Sequence, residues 1–98
     1  MSNKVSAAAV SGVATAVLGS AGDRGGVQVT LHDITTGTGT VTITVMPAGT
    51  DEYQPVTDGT IDLSDSSAPK TVLIQGAVLA VKASSSSSSD AFTLLVGY

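Results

Sequence analysis

From Thr38 to Val45 the chain reads Thr-Gly-Thr-Val-Thr-Ile-Thr-Val. Polar and apolar residues alternate there with a period of two, the pattern of a β-strand with one buried and one wet face. Threonine, rather than lysine or glutamate, fills the outward positions. The resulting strand has high β-propensity and almost no charge, and such a surface suits contact with another protein.

The same grammar runs along most of the chain. Val13 to Leu18 is a candidate first strand, and Gly19 to Gly26 is a loop by its glycine content. Val27, Val29 and Leu31 alternate with Gln28, Thr30 and His32 in a strand ending at Asp33. Thr35 to Gly39 is turn material, and Thr40 to Met46 follows with Val41, Ile43 and Val45 pointing inward. Pro47 to Glu52 closes that strand. Two short pieces, Tyr53 to Thr57 and Thr60 to Leu63, flank an Asp58-Gly59 tight-turn signal, and Pro55 marks an edge. After a loop from Ser64 to Lys70, Thr71 to Gln75 and Val78 to Ala83 form two strands split by Gly76. The second is apolar on both faces, which predicts a central strand or one covered by a partner. Ser84 to Ser89 reads as a flexible connection, tolerant of length change, and Ala91 to Tyr98 is the last strand, with Phe92, Leu94 and Val96 on one side. The expected fold is all-β: an antiparallel sandwich or jelly roll of seven to eight short strands over residues 13–98. Residues 1–12 are small and polar, and are expected to form an N-terminal arm.

Composition narrows the classes of function. The chain has 98 residues, enough for one domain, and its three aromatic residues are Tyr53, Phe92 and Tyr98. A core of Val, Ile, Leu and Ala in so short a chain is thin, so stabilising surface shared with neighbouring copies is expected. Four Lys or Arg face eight Asp or Glu, a net charge of −4. There is no basic patch, and so no electrostatic footprint for nucleic acid. No cysteine is present, which excludes disulfides and thiolate metal sites. No apolar run has the length of a signal peptide core or a membrane span, so neither is expected, and assembly in a cytoplasm is the default.

Val17-Leu-Gly-Ser-Ala-Gly-Asp-Arg24, followed by Gly26-Val-Gln-Val-Thr-Leu-His-Asp33, resembles the opening of small virion proteins of tailed bacteriophages. Thr40 to Val45, Tyr53 to Gly59 and Val78 to Ala83, leading to the Phe92-Thr-Leu94 strand, resemble their second half. Such proteins often carry a tryptophan in the turn after the central strand; here Tyr53 is the nearest candidate. The resemblance implies a non-enzymatic structural component on the capsid exterior. It points to a decoration or cement protein that binds the major capsid protein or other virion proteins as a homo-oligomer, with a trimer expected. The alternative is a head-fibre or tail-associated sandwich that binds a receptor or carbohydrate.

No residue set points to a reaction, a cofactor or a metal. His32 sits on a polar strand face beside Asp33 with no nucleophile at a fixed spacing, and reads as a surface or interface histidine. Asp51, Glu52, Asp58, Asp62 and Asp65 cluster, but their spacing matches no calcium-binding loop. Gly22 to Gly26 lacks the Lys-Ser/Thr ending of a phosphate-binding loop and reads as a turn. Arg24, the sole arginine, is a candidate interface anchor through its planar fork. The expected partner-facing residues are Lys4 and Val5 in the arm, Arg24, the outward Thr42 and Thr44, and Tyr53.

Overall fold

The period-two segments fold into eight strands, with no helix among the described residues, which in this computed structural model are 3–18 and 26–98. In chain order they are β1 (Lys4–Ala8), β2 (Val13–Val17), β3 (Gly26–Thr36), β4 (Thr40–Pro47), β5 (Gln54–Asp62), β6 (Thr71–Gln75), β7 (Val78–Ser85) and β8 (Ala91–Gly97). The first sheet has the order β1-β8-β3-β6 and the second β2-β7-β4-β5. All neighbours are antiparallel. The pairs β1–β8, β2–β7, β3–β6 and β4–β5 are nested, as in one long hairpin rolled so that β3 meets β8 and β4 meets β7. That is the jelly-roll arrangement, in which two sheets bury one apolar face each.

Alternation decides which side chains meet between the sheets. Val27, Val29 and Leu31 of β3, Val41, Ile43 and Val45 of β4, and Phe92, Leu94 and Val96 of β8 are all buried in one cluster. Burial of each larger aliphatic side chain contributes roughly 1.5–3 kcal/mol. β7 lies between β2 and β4, a central place, as one of the two readings of its two-sided apolarity expected, and Pro55 lies on the edge strand β5.

Four local features differ from expectation. The segment read as an arm contains β1, which pairs with β8 over Lys4–Ala8. Val5 and Ala7 turn inward against the core, so the weak alternation of small residues is enough once β8 offers an edge. Val10 and Val13 then exchange two backbone hydrogen bonds, of 2.8 and 3.1 Å, around Ser11-Gly12. Both turn residues have positive φ, 53° and 78°, the signature of a type I′ turn.

The Asp58-Gly59 signal does not reverse the chain. The two expected pieces form one strand, β5, whose register against β4 slips between Thr42↔Thr60 and Thr44↔Pro55. The extra residues form a bulge, with Asp58 at φ 55°. A Cβ on Gly59 would lie 2.6 Å from Val56 Cγ2 and 3.0 Å from the Ile43 carbonyl oxygen, so only glycine fits under the bulge.

β3 likewise runs on to Thr36, past a register shift after His32, with Asp33 at φ 51°. The serine run is only partly a connection. Ser84 and Ser85 complete β7, and the following serines hydrogen-bond to Thr40 and to one another.

Candidate interaction surface

The outer face of the second sheet is built by strand register. One row of neighbours is Val13, Ser84, Thr42 and Thr60; the next is Thr15, Lys82, Thr44 and Pro55; a third is Val17, Ala80 and Met46. Apart from Ala80, which is buried, these positions alternate with the core residues of the same strands, so their side chains stand away from the interior. Lys82 is the single charged residue in the three rows. Its Nζ lies 4.2 Å from the centroid of the Tyr53 ring, a cation–π contact that places Tyr53 at the margin of this face.

Of the expected partner-facing residues, Thr42, Thr44 and Tyr53 are therefore brought together. Lys4 is not among them, because it lies on the outer face of the first sheet, opposite Gly97 of β8. There, the missing side chain at Gly97 leaves a cavity of about 360 Å³ lined by Lys4, Gln28, Thr30, Leu95 and Gly97. Val5 faces the core. Arg24, with the glycine loop around it, lies outside the described residues.

His32 is on the first sheet's outer face, its Nδ1 3.3 Å from Asp33 Oδ2. Among the described residues its buried Nε2 has no hydrogen-bond partner. Asp62 at the end of β5 and Asp65 in the following loop are used in local turns. Asp62 accepts hydrogen bonds from the Ser64 hydroxyl (2.7 Å) and amide (2.9 Å), and Asp65 from the Ser67 hydroxyl (2.7 Å) and amide (3.0 Å). These bonds favour the ionised form and lower both pKa values. Among the described residues no three His, Asp or Glu side chains form a metal-binding group.

One acid has a different setting. Asp90 is 3 % exposed and is the buried charged residue among those described. Its carboxylate accepts from the Ser85 hydroxyl, the Thr38 amide (2.8 Å) and hydroxyl (2.9 Å), and the Gly39 amide (3.0 Å). The Ser85 hydroxyl, followed by the Thr38 amide, holds its pKa down to about 2 against the opposing effect of burial. This hub joins the β3–β4 turn to the β7–β8 connection. It also supports the start of β2, since the Ser85 amide donates to the Gly12 carbonyl (2.8 Å).

Sequence reasoning missed the exposed apolar side chains Val10, Val13, Val17 and Leu73. A signal was present in Val13 to Leu18, where both parities are apolar apart from Thr15, so that one apolar set had to face outward. Comparison with protein-family models, with curated proteins and with solved structures returned no match to this chain.

Proposed function

We propose that this chain is a structural protein of a tailed-bacteriophage virion, a capsid decoration protein with no reaction of its own. It assembles in the host cytoplasm onto the capsid exterior and stabilises the head by binding the major capsid protein as a homo-oligomer. The observation that carries this reading is the outer face of the second sheet, three registered rows of threonine, serine, valine and other small or apolar residues around one lysine. β-Branched threonine loses little rotamer freedom on contact, and its hydroxyl can satisfy polar groups of a partner surface. A sandwich behind it, pinned at one end by the Asp90 hub, keeps the face rigid, which lowers the entropic cost of docking.

The fibre or sugar-binding alternative has less support. Sugar platforms use open aromatic faces, and the ring of Tyr53 is covered by Lys82. The test is co-sedimentation of the purified protein with undecorated capsids of its phage. Saturation at a ratio matching the capsid lattice, lost in a Thr42→Glu/Thr44→Glu variant that remains folded, is the expected result. A folded protein that stays in the supernatant at every capsid concentration would overturn the reading.

A further inference from the structure

Backbone directions along β2 follow from its hydrogen bonds. The Gly12 carbonyl accepts from Ser85 N–H, and Leu18 N–H donates to the Leu79 carbonyl, both at 2.8 Å, so even-numbered residues address β7. Val13 exchanges its two bonds with Val10, so odd-numbered residues address the opposite side. The turn uses the groups of Val13. The N–H and C=O of Thr15 and Val17 remain on the edge, without a backbone partner among the described residues.

Val10, Val13 and Val17 are 75 %, 40 % and 68 % exposed along the same flank. From Val5 to Leu18 there is no charged residue, no proline and no register shift in the ladder to β7. Among the described residues β2 thus carries no charge, proline or bulge of its own, and β1 lies beside it at the corner of the sandwich. The opposite flank differs. There β6 exposes Leu73, but β5 lies beside it with Asp58 and Asp62, so a two-fold contact on that side would bring like charges together.

The geometry points to β2 as a self-pairing edge, its occupant being β2 of a second copy of this chain. Antiparallel pairing about a two-fold axis at Ala16 sets Thr15 of each copy opposite Val17 of the other. Both pairs are of the hydrogen-bonded kind, so all the unpartnered backbone groups of Thr15 and Val17 are matched. The two second sheets become continuous, and their threonine faces become one platform. That role for the platform rests on the capsid-binding reading; the pairing itself does not.

The test is the mass of the purified protein by light scattering over a concentration series, without capsids. Thr15→Pro removes a donor that points away from β7, so the β2–β7 ladder keeps its bonds. Val17→Lys places a charge in the seam, opposite Thr15 of the other copy. The wild type is expected to reach twice the chain mass. Each variant is expected to weaken the dimer at least about tenfold while keeping the wild-type circular dichroism spectrum and monomer melting temperature. Concentration-dependent protection of the Thr15 and Val17 amides from exchange is the second expected readout, and it needs no variant. A wild type that is monomeric throughout, a three-copy mass, or a dimer insensitive to both substitutions overturns the inference. A monomer that still sediments with capsids overturns the pairing and leaves the decoration reading. A β2-dependent dimer that ignores capsids supports the pairing and removes that reading.

Discussion

The two edges of the second sheet solve the same problem in opposite ways. β5 is protected three times over: Pro55 removes a donor, the bulge from Val56 to Gly59 breaks the register, and Asp58 and Asp62 add charge. β2 has none of these, and its valines face solvent. Both edges belong to one sheet with one core, so the difference cannot come from a need to bury apolar surface within the chain. It marks β5 as an end of the sheet and β2 as a place where the sheet can continue.

The comparison breaks most severely if β2 is removed from its ladder. Ala16 is buried and its N–H addresses β7, so Ala16→Pro is expected to cost at least about 2 kcal/mol from the lost bond and the unsatisfied carbonyl of β7. Chemical denaturation should show it, whereas Thr15→Pro one residue away should leave monomer stability within about 0.5 kcal/mol. Equal losses from the two would contradict the assignment of odd residues to the free edge.

At the other edge, Gly59→Ala must push against Val56 and the Ile43 carbonyl, with an expected loss of roughly 1–3 kcal/mol in the same assay. A neutral result would mean that the bulge is soft and that β5 is less well guarded than its geometry implies.

Acid tests the hub at the start of β2. The Asp90 pKa of about 2 lies below the ordinary aspartate value of 3.8, so the unfolded chain takes up this proton first. The stabilisation is complete above pH 3.8 and is lost as pH falls toward 2. Melting temperature should fall across that window, and Asp90→Asn should be less stable near neutral pH with a shallower acid dependence. The residual slope belongs to Asp62 and Asp65, whose pKa values are also lowered. An unchanged slope in Asp90→Asn would remove the hub from the account. The smallest effect is expected from Lys82→Ala, a loss of about 0.5–1 kcal/mol with the Tyr53 contact, read by thermal unfolding.

Much of the architecture was legible because period-two alternation needs only local sequence. Val27 to Leu31, Thr40 to Val45 and Phe92 to Val96 each announce a strand and its inner face, and the two-sided apolarity of Val78 to Val81 announces a central one. Two misreadings of opposite sign offset each other in the strand count. β1 was missed because Lys4 to Ala8 is a run of small residues that becomes a strand only against β8. β5 was divided because Asp58-Gly59 has the same left-handed backbone in a bulge as in a turn, and which of the two forms depends on whether β4 continues alongside. Of the expected contact residues, Thr42 and Thr44 could be placed on one outer face from alternation alone. That Lys4 stands on the other sheet, and that Tyr53 lies under Lys82, could not.

An all-β chain with a thin aliphatic core, polar turns and an outward threonine face follows from periodicity and composition, which are properties of neighbouring residues. Which strands pair, which edges are left over and where Ser85 meets Asp90 become visible once the chain is folded. Those outcomes depend on hydrogen bonds between residues far apart in the chain, such as Thr38 with Asp90 and Asn3 with Tyr98, and no local pattern encodes their partners.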